Sequence, residues 1–219
     1  MTRPAAALTA FQITVAKLFF SLPQSDGFLL AGGAALAAQD LTSRPTRDLD
    51  LFTRVGGPSV PGVRDAFEAA VLGKGWTVRR IRDSETFCRL LVTGEDELLV
   101  DLAVDSPPNS PPSASSVGPT FGLEELAGRK VIALFDRAEA RDFADVYVLA
   151  LRYDPELLLQ RAAEIDGGFD RGVFATMLGS LDRFTDSDIP VPPNSVTELR
   201  TFFRHWASQL RGPSAGNET

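Results

Sequence analysis

Asp48 and Asp50 sit two positions apart in the run Asp48-Leu49-Asp50-Leu51-Phe52, downstream of a glycine pair, Gly32-Gly33. Successive side chains of a strand turn to opposite faces, so the two carboxylates share one face while Leu49 and Leu51 turn into the core. Like charges held side by side call for a cation. Mg²⁺ suits the place, because it takes one or two carboxylates and completes its shell with water and substrate phosphates. Gly32-Gly33 ends the apolar run Phe28–Ala31 and precedes the helix-forming stretch Ala34–Asp40. Glycines there let the backbone approach a phosphate, and the first helical amides carry partial positive charge. A phosphate cradle beside a metal platform is nucleotide chemistry. An isolated Asp-x-Asp also fits a solvated strand end, and Gly-Gly lacks the spaced third glycine of a dinucleotide-binding fingerprint.

Further acids come in Leu98–Asp105, where Asp101 and Asp105 lie on one strand face. Asp101 is mid-strand among apolar residues, where an unpaired carboxylate is costly. Asp105 precedes Pro107 and suits a solvated turn. Asp101 is therefore the expected third metal ligand or general base. Metals about 3.5–4 Å apart on such a triad would hold an α-phosphate, activate an attacking hydroxyl and stabilise a pyrophosphate leaving group. A second group follows: Lys130, Leu134 and Arg137 fall on one helix face, and Arg141, Asp142 and Asp145 begin the next helix. These cations could clamp triphosphate oxygens. The plainer alternative is an acid favoured at a helix start and an exposed Arg141–Asp145 pair worth about 0.3–0.5 kcal/mol.

With 219 residues, 44% of them hydrophobic, the chain can bury one good core and a smaller second one. A net charge of −7 argues against indiscriminate binding to nucleic acid. Against that background Lys74, Arg79, Arg80, Arg82 and Arg89 form a basic island, either a local acceptor groove or a solvated hairpin face. The single Cys88, flanked by Phe87, reads as a buried strand thiol in a reducing, cytoplasmic setting. One histidine, His205, excludes histidine triads and multi-histidine zinc sites. No apolar run approaches the ~20 residues of a membrane span, and no secretory leader is evident.

The elements that must position these residues follow from periodicity. Leu8, Phe11, Val15, Leu18 and Phe19 predict a helix over 5–22 ending before Pro23. A strand over 28–31, a helix over 34–41, a strand from Asp48 to about Thr53 and a helix over 63–72 come next. Three extended runs, 76–81, 86–92 and 98–104, predict a meander. The Pro- and Ser-rich stretch 105–120 reads as a surface loop. Helices are expected over 123–137, 141–152, 155–166, 171–184 and 196–210. The expected organisation is an α+β lobe over 1–110, a helical lobe over 111–212 and a disordered tail over 213–219.

With these residues in place, the chain resembles the AbiEii/AbiGii-type nucleotidyltransferase toxins, relatives of the MenT toxins in the polymerase-β-like nucleotidyltransferase superfamily. The resemblance spans roughly 26–152. It is carried by Leu-Ala-Gly32-Gly33-Ala-Ala-Leu, Arg47-Asp48-Leu-Asp50-Leu-Phe, Asp101, Glu125-Leu-Ala-Gly-Arg-Lys130, Asp136-Arg137 and Arg141-Asp142-Phe-Ala-Asp145. It implies a mixed-sheet nucleotidyltransferase lobe with a helical C-terminal lobe, using Mg²⁺ or Mn²⁺ and a nucleoside triphosphate. Asp48 and Asp50 match the family's metal pair, Lys130 its nucleotide lysine, and Asp142 the acid needed for activity. Gly32, Gly33, Ala34, Arg47, Lys130, Arg137 and Arg141 are then the expected nucleotide contacts. The family usually has Ser or Thr directly after the second glycine, and here Ala34 stands there. Backbone amides alone, or the hydroxyl of Thr42, Ser43 or Thr46, could take over that contact.

The expected function is transfer of a nucleoside monophosphate to a hydroxyl, with the tRNA acceptor end as target, by a toxin paired with an antitoxin or acting in phage defence. Two alternatives stand beside it: an antibiotic-type small-molecule nucleotidyltransferase, and a catalytically silent nucleotide-binding protein, which Ala34 would suit.

Overall fold

The computed structural model describes residues 7–211, and the chain divides into two compact units after Leu126. The first contains α1 (Ala10–Phe20), β1 (Leu29–Ala31), α2 (Gly32–Ala38), β2 (Asp48–Arg54), α3 (Val60–Gly73), β3 (Thr77–Asp83), β4 (Phe87–Thr93), β5 (Glu97–Asp105), β6 (Ser113–Ala114) and β7 (Pro119–Thr120). Its seven strands form one mixed sheet in the order β3-β4-β5-β2-β1-β7-β6. β2 pairs with β5 in parallel and with β1 in antiparallel, which puts the Asp48–Asp50 strand in the sheet interior.

One face of this sheet is the core. Leu49, Leu51, Cys88, Leu90, Val92, Val100 and Leu102 are fully buried on it. Phe19 of α1 meets Phe28 and Phe67, each at 5.5 Å between ring centroids. Helix α1 begins at Ala10, because Thr9 and Gln12 form a reciprocal capping box that satisfies the first amides. The expected start at residue 5 lies outside the described residues. Burial pushes the Cys88 thiol up to about 11, so the core cysteine stays protonated at neutral pH.

The boundary expected at 110/111 differs from the observed division. Residues 113–114 and 119–120, assigned from sequence to the helical lobe, belong to the first sheet, with β7 parallel to β1. Backbone pairing needs no apolar side chains, so a Pro- and Ser-rich segment can close a sheet edge while contributing little to the core. Two buried apolar residues, Val117 and Phe121, anchor it. The carboxylate of Glu125 accepts the amides of Asn109 and Ser110, both at 3.0 Å, and the Ser110 hydroxyl at 2.9 Å.

Helix α4 (Leu123–Asp136) crosses the division, and the second unit continues with α5 (Ala140–Ala150), α6 (Pro155–Ile165), α7 (Arg171–Gly179) and α8 (Val196–Arg211). Leu199, Phe203 and Trp206 form the buried stripe of α8. Phe203 meets Phe143 at 5.1 Å and Trp206 meets Phe174 at 5.4 Å, so this core is largely aromatic. The helix expected over 171–184 ends at Gly179 and passes into a 3₁₀ turn, Ser180–Arg183. The expected tail over 213–219 lies outside the described residues.

Candidate active site

Sheet register assembles the acids. Ala31 pairs with Asp50, Asp50 with Asp101, Asp101 with Arg89, and Arg89 with Arg82. Paired residues point to the same face, so one row runs across five strands with two carboxylates in the middle and two guanidiniums toward the β3 edge. Asp48 lies on the same face, one alternation along β2 from Asp50. Leu49 and Leu51 face the opposite way and are fully buried, as strand alternation requires.

Because Ala31 is opposite Asp50, the next residue, Gly32, is set against the Asp50 carboxylate. Its φ of +64° lies in the left-handed region, and a Cβ there would stand 1.8 Å from Asp50 Oδ2. Only glycine fits this place. Helix α2 starts at this glycine, and its N-cap Ala31 gives no side-chain cap to the first amides. At Gly33 a Cβ would stand 2.9 Å from Thr46 Oγ1 and 3.2 Å from an Arg44 guanidinium nitrogen.

Thr46 therefore supplies a hydroxyl at the glycine turn, where the buried Ala34 methyl supplies none. The Thr46 hydroxyl donates to Asp48 Oδ1 at 3.0 Å, and the Thr46 carbonyl accepts from Gln12 Nε2 at 2.9 Å. Thus Gln12, which caps α1, also holds the loop that positions Thr46. Arg47 precedes Asp48, just outside β2, and Arg44 stands beside Gly33.

Asp101 is buried, and both of its oxygens are taken by Arg89: Nε donates to Oδ1 at 2.8 Å and an NH2 nitrogen to Oδ2 at 2.6 Å. The pair is the reason the Arg89 guanidinium is held above its ordinary pKa, with Asp48 and Asp50 adding to the effect. Among the described residues no three His, Cys, Asp or Glu side chains are grouped so as to hold a metal. The expected three-carboxylate set is thus present as a row, with Asp101 engaged by an arginine. Two carboxylates and a nearby hydroxyl are hard oxygen donors, and Asp48 with Asp50 fits one divalent cation that completes its shell elsewhere.

The basic island proves two-sided. Arg80, on the core side of β3, binds Glu68 of α3 at 2.7 and 2.6 Å and Asp83 at 3.0 Å; Arg64 of α3 also binds Asp83. Arg79, Arg82 and Arg89 lie on the carboxylate face, where Arg82 and Arg89 approach the Phe87 ring at 5.2 and 5.9 Å.

In the second unit the motif residues form two ion pairs, one with both partners buried and one with only its acid buried. Lys130 Nζ is 3.0 Å from Asp145 Oδ2, with both side chains almost fully buried. Asp142 accepts from Arg137 Nε and an NH2 nitrogen at 2.9 and 2.8 Å and from the Glu139 amide at 3.1 Å, which makes it the N3 member of the α5 capping box. Arg183 donates to the carbonyls of Arg137 and Ala138 and ties down the same turn. Arg141 Nε is 2.8 Å from Glu139.

Sequence reasoning misses Arg44 and the Arg89–Asp101 pair. The second is recoverable: β4 and β5 flank a short turn at 94–96, and counting outward from Thr93 opposite Glu97 reaches Arg89 opposite Asp101. No comparable count gives the parallel β2–β5 pairing.

The family model described as "Nucleotidyl transferase AbiEii toxin, Type IV TA system" matches residues 17–212. No curated protein sequence matches the chain. Among solved structures, JHP933 from Helicobacter pylori is similar at a TM-score of 0.61 and 18% identity, over 96% of this chain and 95% of that one. MenT4, a nucleotidyltransferase toxin from Mycobacterium tuberculosis H37Rv, is similar at 0.54 and 16% identity, over 93% of this chain and 83% of that one. At such identities these likenesses show the fold.

Proposed function

The chain belongs to the AbiEii nucleotidyltransferase toxin family, and we propose that it is a metal-dependent nucleotidyltransferase that adds a nucleoside monophosphate to the acceptor end of tRNA. The observation that carries this reading is the interlock of Gly32 with Asp50: the bare glycine backbone and a carboxylate pair meet at one point of the sheet. That is where a triphosphate and its cation would have to meet.

Asp48 and Asp50 would hold Mg²⁺ or Mn²⁺, which when bound supplies Lewis-acid polarisation of the phosphate and charge neutralisation. The amides at Gly32 and Gly33 donate to phosphate oxygens, with the Thr46 hydroxyl and the Arg44 guanidinium beside them. The acceptor hydroxyl oxygen forms a bond to the α-phosphorus, the bond from that phosphorus to the bridging oxygen breaks, and pyrophosphate leaves with the electron pair. The hydroxyl proton passes to a carboxylate of the row or to water. In the second unit, Lys130 is the proposed nucleotide lysine, with Asp145 fixing its ammonium. Arg137 and Arg141 are proposed phosphate contacts, and Asp142 holds Arg137 in place.

A nucleic-acid acceptor has a surface to follow: Arg79 and Arg82 can take backbone phosphates, and Phe87 offers a ring for base stacking. Arg80 is excluded from this role by its ties to α3. The family also implies a cognate antitoxin. No helix among the described residues is long and apolar enough to cross a membrane; cytoplasmic action is part of the proposal.

The test incubates purified protein with each α-phosphate-labelled NTP, Mg²⁺ or Mn²⁺ and total tRNA, beside Asp48→Ala. Label on tRNA that vanishes in the variant is expected. Label on small acceptors only would favour the antibiotic-type reading, and metal-dependent NTP binding without any transfer would favour a silent binder.

A further inference from the structure

We propose that Gln12 of α1 is a positioning residue of the active site: through the Thr46 carbonyl it fixes the hydroxyl that orients Asp48. The inference rests on the nucleotidyl-transfer reading above and gives a part in it to a helix that this reading leaves out.

The Gln12 side chain is buried and bonded at both ends. Its Oε1 accepts the Thr9 amide at 2.8 Å, and its Nε2 donates to the Thr46 carbonyl at 2.9 Å. The first bond is a helix cap, for which a shorter side chain suffices. Asp142 and Asp188, at the same N3 position of their own helices, accept the N-cap amides of Glu139 and Thr185 at 3.1 and 2.8 Å. The longer reach and the NH2 group of Gln12 are what the second bond uses. That bond spans 34 positions of the chain and lands on residues 42–47, which form neither helix nor strand. Its anchor is firm: Phe11 packs edge-on against Trp76 at 5.1 Å, and Val15 and Phe19 are fully buried. Thr46 is buried as well, and the one hydrogen of its hydroxyl goes to Asp48 Oδ1 at 3.0 Å. The same oxygen lines the glycine turn at Gly33. A shift of the Thr46 peptide therefore moves a contact of Asp48 and a wall of the phosphate cradle together, and catalytic groups need placement to within about 0.5 Å.

The test measures kcat for transfer of labelled nucleoside monophosphate by the full chain at saturating NTP, with a melting curve for each variant. Gln12→Asn keeps an amide that can cap α1 but is one methylene, about 1.5 Å, short of the Thr46 carbonyl. Its kcat is expected to fall about tenfold, as in Thr46→Val. The double variant Gln12→Asn/Thr46→Val is expected to show the same single loss of about tenfold, because both changes cut one chain of contacts, whereas independent effects would multiply to about 100-fold. Thr9→Ala removes the hydroxyl half of the cap and leaves the Gln12–Thr46 bond, so it should lower the melting temperature and keep kcat at the wild-type level. A wild-type kcat in Gln12→Asn, a multiplied loss in the double variant, or a loss of kcat in Thr9→Ala equal to that in Gln12→Asn would overturn the proposal and leave Gln12 a helix cap. No label on tRNA or on any other acceptor with wild type would instead remove the transfer reading, and this inference with it.

Discussion

Two arginine forks, Arg89 on Asp101 and Arg137 on Asp142, are nearly alike in geometry and differ in what surrounds them. Arg89 is 44% exposed over an Asp101 side chain that is 8% exposed. Arg137 is 45% exposed over an Asp142 side chain that is fully buried. Each makes two bonds of 2.6–2.9 Å. Asp142, however, also accepts the Glu139 amide and closes a helix start, so its charge is consumed by its own fold. Asp101 stands in a row with Asp50 and near Asp48, so its arginine serves a group of acids larger than the pair. Contact geometry does not distinguish a clasp from a working counter-ion; the neighbouring charges do.

The largest effect is expected at the acidic centre. Asp48→Ala or Asp50→Asn should lower nucleotidyl transfer by about 10³-fold or more, with an unchanged melting curve, because the metal's charge stabilisation is lost. A comparable loss of activity with loss of folding would mean that these acids hold the fold rather than a metal.

The two arginines should separate next. Arg137→Ala leaves a carboxylate with no exposure and one amide, and urea unfolding should show a loss of about 3–5 kcal/mol that Mn²⁺ does not restore. Arg89→Gln should also lose stability, but saturating Mn²⁺ should return it, since an ion that binds only the folded site stabilises by mass action. Equal responses of the two variants to Mn²⁺ would erase the distinction. Gly32→Ala, which forces a Cβ against Asp50 in a left-handed backbone, should cost about 1–3 kcal/mol in the same unfolding assay and abolish transfer.

Smaller effects probe the cradle. Thr46→Val should reduce transfer by about tenfold, as one hydroxyl contact is worth about 0.5–1.5 kcal/mol; Ala34→Ser should leave it within that range, because Thr46 already supplies a hydroxyl beside Gly33. The smallest is at Cys88. With its thiol pushed up to about 11 by burial, iodoacetamide at pH 8 should leave native protein unlabelled and active.

The acid pair, the glycine turn, the meander and the aromatic helical region are legible in local patterns: alternation on strands, 3.6-residue spacing on helices, and residue types whose chemistry is narrow. The stretch 105–120 reads as a plain loop because its apolar content is low, whereas backbone pairing makes β6 and β7 from it. The basic island reads as one surface because linear charge runs do not show faces; a bulge between Arg80 and Arg82 and the position of α3 divide it. A mid-strand Asp101 demands compensation on sequence grounds, but the demand does not say whether a metal or an arginine meets it, and the β4–β5 ladder delivers Arg89.

Which groups exist, and which faces of their own elements they share, depends on neighbours along the chain and is therefore settled by local sequence. That Gly32 abuts Asp50, that Asp50 lies beside Asp101, and that Thr46 reaches Gly33 is settled only by tertiary contacts. These depend on the parallel β2–β5 pairing and on a loop held by Gln12 from α1, contacts between distant segments whose register no local spacing encodes.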